Sequence, residues 1–206
     1  MALRLLPFRQ YNEHDVVNLF TLDDNCELDS TTGDGAGSNG VFVKISSGDF
    51  NQDTVKYTSN NYLGNTDYPF IGGDMYPVNP LKVRPANSGE IPLGLTLNQT
   101  ARTDENGEKL LYNETKKEEL QAVLIGQTVP VATKGVFTLS KNAIQAGAVA
   151  GFSIGGGFEI AAGGVIGPAA VGSASSLGMV LGTGSRVSQG GLTDQFAGDY
   201  VIVKLG

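Results

Sequence analysis

The chain has 206 residues, 40% apolar and 17% charged, with a net charge of −7, enough for one substantial core and opposed to binding a nucleic-acid backbone. One cysteine, Cys26, excludes an internal disulfide and any cysteine-built metal cluster, and one histidine, His14, excludes a multi-histidine metal site. The 29 glycines lack the every-third spacing of collagen, and the whole composition points to a protein that acts through shape, not catalysis, and needs no cofactor.

Residues 1–24 form a leading arm. Two apolar clusters, Leu3/Leu5/Leu6/Phe8 and Val16/Val17/Leu19/Phe20, flank the polar stretch Gln10–Asp15. Their period-two spacing predicts strand character, either as the first strand of the domain or as an extended segment laid on a neighbour. On the second reading the arm supplies the interface residues Leu5, Phe8, Arg9, Tyr11, Val17 and Phe20. The apolar run at the start is short and broken by Arg4 and Arg9, which does not suit a secretory signal, so a cytoplasmic product is expected. His14 lies between Glu13 and Asp15, but adjacent strand residues face opposite sides, so a relay is not expected there.

Residues 25–100 read as a β-rich, loop-rich region. The acidic cluster Asp23, Asp24, Glu27, Asp29 and Asp34 lacks the alternate spacing of a calcium loop and reads as solvated. Asn39-Gly40 is a turn signal that leads into the strand Val41–Ile45, and Thr54–Thr58 is the next strand. From Asn60 to Pro85 the chain is rich in Asn, Gly, Pro and Tyr and reads as irregular. Tyr57, Tyr62, Tyr68, Phe70 and Tyr76 suit either a recognition surface or packing of a long loop on its own domain, and Tyr62, Tyr68 and Phe70 join the candidate interface residues. Leu93, Leu95 and Leu97 alternate as in a strand.

Residues 101–122 hold a charged loop and a short helix near 114–122, where strong helix formers cluster. Residues 123–206 return to β character, with glycine-rich strands and turns. Val136–Leu139 follows the turn Thr133–Gly135. Residues 199–205 alternate Tyr200, Ile202 and Lys204 against Val201, Val203 and Leu205. Strands this short and this often punctuated predict a mainly β fold, a sandwich or barrel.

Spacing fails at the C-terminal glycine clusters and for a phosphate loop. Gly155-Gly156-Gly157 and Gly182-Thr183-Gly184 lack the third glycine of a dinucleotide fingerprint, and no glycine–lysine–serine order exists for a phosphate loop. The uncharged run Ile160–Ser185 is long enough to span a bilayer, yet Pro168 and its many glycines and serines speak against a spanning helix, despite small-residue spacings such as Gly147/Gly151/Gly155.

The run Gly126–Leu139, with Val129-Pro130-Val131 and Lys134-Gly135-Val136-Phe137-Thr138-Leu139, resembles part of the head decoration (cement) proteins of tailed bacteriophages. The closing runs Gly178–Gly184 and Gly198–Leu205 are similar to that family's last two strands, so the likeness covers the C-terminal third to half of the chain. The resemblance implies a β-rich subunit on the outside of an icosahedral shell, without an active site. The partners it implies are the major capsid protein and further copies of the chain itself, as a homotrimer or through lattice contacts, with no nucleic acid and no membrane. The expected location is the virion surface, after synthesis in the host cytoplasm. The alternative is a tail, neck or fibre component that binds another virion protein or a host glycan.

Overall fold

Alternation of large apolar with polar or small side chains makes strands the main regular element of the structure, a computed structural model that describes residues 3–23, 37–48, 81–104, 106–124, 126–188 and 196–206. The strands are β1 (Leu5–Gln10), β2 (Val16–Val17), β3 (Thr21–Leu22), β4 (Phe42–Ser47), β5 (Lys82–Pro85), β6 (Gly94–Thr96) and β7 (Gln99–Thr100). They continue as β8 (Ala122–Val123), β9 (Val131–Ala132), β10 (Gly135–Ser140), β11 (Gly157–Ile160), β12 (Ile166–Pro168), β13 (Gly178–Arg186) and β14 (Gly198–Leu205). Among the described residues one short α-helix interrupts them, α1 (Glu114–Glu119), and Asn113 caps it by accepting from the Lys116 amide at 3.1 Å.

Two six-stranded sheets result, ordered β1-β10-β14-β13-β11-β12 and β2-β9-β6-β4-β5-β3, with a separate parallel pair β7-β8. Neither closes into a barrel, and the fold is sandwich-like. The main core draws on both sheets. Phe137, Leu139, Val201, Val203, Val180, Phe158 and Ile166 from the first meet Phe42, Leu95 and Ala132 from the second. The rings of Phe42 and Phe158 stand 6.0 Å apart, tilted by 51°, at this contact. Val43, Val83 and Val131 point the other way into a second cluster with Phe20 and Leu22. The second sheet is thus apolar on both faces, because successive residues of β4 point to opposite sides and both Phe42 and Val43 are fully buried.

The four compositional regions interleave. From the leading arm, β1 pairs with β10, β2 with β9 and β3 with β5. Residues 82–85, expected to be irregular, form a strand because β5 is held between β4 and β3. The uncharged run 160–185 forms β12 and most of β13, and no described helix is long and apolar enough to cross a membrane. Tight strand spacing selects glycine at two places. A Cβ on Gly94 would lie 2.2 Å from the Ala132 carbonyl oxygen, and one on Gly178 would lie 2.0 Å from that of Lys204.

The turn before β6 is tied down by charge. Glu90 accepts from Lys44 at 2.9 Å, from the Asn87 amide at 2.9 Å and from Arg84 at 2.6 Å. The Lys44 hydrogen bond, then the Asn87 amide and the Arg84 guanidinium, lower its pKa from 4.5 to about 2. The lowered value means this cluster stabilises the fold fully above pH 4.5 and loses that contribution as pH falls towards 2. Glu90→Gln is therefore expected to flatten the decline of stability across that window. The check is a series of urea titrations at stepped pH; a decline identical to the wild type's contradicts the assignment.

Candidate functional site

Among the described residues β1 is an edge strand of the first sheet, and its pairing with β10 is irregular. Leu5 lies opposite Leu139 and Arg9 opposite Phe137, so four steps along β1 match two along β10. Pro7 sits inside this bulge, where its missing N–H costs no ladder bond. A bulge re-aims side chains, and here Leu6 stays buried while Phe8 is 63% exposed.

The re-aimed residues border a groove of about 470 Å³ on the outer face of the sheet. Leu6, Pro7 and Phe8 meet Thr138, Tyr200 and Ile202 from β10 and β14, with Arg186 at the end of β13 and Phe196 beside it. Thr138 and Ile202 are direct cross-strand partners. The Arg186 guanidinium lies 5.7 Å from the Phe196 ring centroid, a cation–π arrangement that holds the charge at the groove. Thr138 is 5% exposed, and its hydroxyl has no hydrogen-bond partner among the described residues. That leaves one polar group unmet within an otherwise apolar wall.

A second depression, about 590 Å³, lies along β1 towards α1 and shares Leu6, Pro7 and Phe196 with the groove. Asn39 accepts from the Leu5 amide at 3.3 Å there, and Gln99 donates to the Leu120 carbonyl at 2.7 Å. Lys116 pairs with Glu119 at 3.6 Å, whereas half-buried Arg9 has no ion-pair partner among the described residues. Each depression is thus bordered by a guanidinium with no ion-pair partner among the described residues, in a chain whose net charge is −7.

The expected interface residues are dispersed. Leu5 and Phe20, expected to bury themselves on neighbouring subunits, are instead 4% and 3% exposed within the chain's own core, and this corrects that expectation. The reason is pairing: Leu5 faces inward opposite Leu139, and the Phe20 carbonyl accepts from Val129 at 2.9 Å. Tyr11 stacks on Phe137 at 5.9 Å, and half-buried Val17 packs against the second cluster. Phe8 borders the outer groove and Arg9 the depression beside α1. Tyr62, Tyr68 and Phe70 lie outside the described residues, as does the expected strand Thr54–Thr58.

The sequence reading passed over Thr138, Arg186, Phe196, Tyr200 and Ile202. A signal existed in the alternation of β14, whose large residues Tyr200 and Ile202 lie opposite the buried valines. It did not say that β1 would bend beside them. His14 is exposed in a one-turn 3-10 helix at Glu13–Asp15, capped by Asn12. Among the described residues no three His, Cys, Asp or Glu side chains gather to hold a metal ion, and of the acidic cluster only Asp23 is described. Searches of protein-family models, curated proteins and solved structures find no match to the chain.

Proposed function

We propose that the chain is a structural subunit of a virion that binds the outer surface of a phage head and stabilises the shell. The observation that carries this reading is the apolar groove beside β1. A phenyl ring, Phe8, stands 63% exposed at its border, and β13 of the same sheet exposes Met179 and Leu181. Single exposed apolar residues are ordinary, but several on one sheet face together with a groove mark an interaction surface. The resemblance supplies the setting, since its residues make up β10, β13 and β14, the strands that form or border that face.

A sandwich of this kind binds as a rigid body. The groove takes part of a neighbour while the strands behind it stay fixed by the core, so little ordering entropy opposes docking. Repetition over a shell multiplies a modest contact energy into a large gain in shell stability.

The reading is tested on purified particles assembled by the virus that encodes the chain. The chain is expected in many copies per particle, accessible to antibody and protease from outside. Particles assembled without it are expected to open at a lower temperature. Absence of the chain from purified particles overturns the proposal.

A further inference from the structure

We infer that the groove beside β1 receives an extended acidic segment of a partner protein, one that places a large apolar side chain next to a carboxylate. The inference deepens the function proposed above and rests on it only in taking the occupant to be a protein.

Three features converge on that chemistry. The groove wall formed by Leu6, Phe8, Tyr200 and Ile202 is apolar and, at about 470 Å³, is of a size to hold a leucine- or phenylalanine-sized side chain with its flanking backbone. Its charged side chain is Arg186, held on the Phe196 ring and exposed to an approaching anion. The adjoining depression adds Arg9, unpaired among the described residues, while Lys116 and Glu119 there cancel each other. Among the described residues the local charge along β1 is thus positive, against a chain total of −7. A second acidic copy is repelled by that total, whereas an acidic segment finds its attraction at this strand, and a guanidinium binds a carboxylate through paired donors.

The test uses the full chain, immobilised, and a displayed library of random heptapeptides, with the enriched peptides then synthesised and titrated. Enriched peptides are expected to carry Asp or Glu within two positions of Leu, Ile or Phe. Their affinity is expected to fall at least tenfold in Phe8→Ala and in Arg186→Gln, and to weaken as salt rises. Both side chains are exposed, so both variants are expected to keep the wild-type circular dichroism and melting temperature. Enrichment of basic or uncharged peptides overturns the inference. So does undiminished binding to either folded variant, or no enrichment at all. These outcomes are separate from the particle experiment: a chain present on virions with a groove indifferent to acidic peptides loses this inference and keeps the proposed function, and absence from virions does the reverse.

Discussion

Deletion of residues 1–10 is expected to unfold the chain instead of leaving a stable sandwich without its arm. β1 lines the edge of β10, and Leu5 and Leu6 are 4% and 9% exposed. Losing two buried leucine side chains costs about 3–6 kcal/mol by transfer bookkeeping, a large part of the roughly 5–15 kcal/mol that holds a domain folded. The deletion also strips partners from Ser140, whose amide donates to the Arg4 carbonyl at 2.9 Å and whose hydroxyl donates to that of Leu3. Thermal melting followed by circular dichroism decides the matter: the truncated chain should be insoluble or lack a cooperative transition. Phe8→Ala is the control, expected within about 0.5 kcal/mol of wild type because the ring is largely exposed. A truncated chain melting at the wild-type temperature would restore the view of residues 1–10 as a free arm.

The second large effect is expected at the contact between the sheets. Phe158 is fully buried and meets Phe42 across the core, so Phe158→Ala should cost about 3–5 kcal/mol through lost transfer energy and the cavity left behind. Gly178, directly opposite Phe158 in the neighbouring strand, tests the same place from the other direction. Gly178→Ala would press a methyl group against the Lys204 carbonyl and to 2.9 Å from the Phe158 ring. Because backbone must move, a loss of about 1–3 kcal/mol or more is expected, and removing the ring does not relieve the clash with Lys204. Denaturant midpoints of the two single variants and the double variant check this. If the double variant is as stable as Phe158→Ala alone, the ring and not the carbonyl limits the site.

The β character of the chain was legible because strand signals are local. In β14 the buried set Val201, Val203 and Leu205 alternates with Tyr200, Ile202 and Lys204 as the sequence spacing requires. The short helix was legible for a similar reason, although it stops at Glu119 and yields Ala122–Val123 to a strand. Residues 82–85 were not legible. Lys-Val-Arg-Pro has one apolar residue between two cations, and only the neighbours β4 and β3 make it a strand. Phe8 was picked out as a surface residue, but with Leu5 and Phe20 beside it, because hydrophobicity alone does not separate a side chain facing the core from one facing a partner.

By itself the sequence determined a mainly β chain of short glycine-punctuated strands, one charged helix near 114 and an acidic surface. Those properties follow from side-chain period, turn residues and charge count, which each act over a few residues. Tertiary structure alone decided that the leading arm belongs to the chain's own sheets. It also decided that the bulge at Pro7 turns Phe8 outward, and that Arg186, Phe196 and Tyr200 meet it from the far end of the chain. Such contacts join residues well over a hundred positions apart, and the pairing register that creates them depends on every strand packed between them.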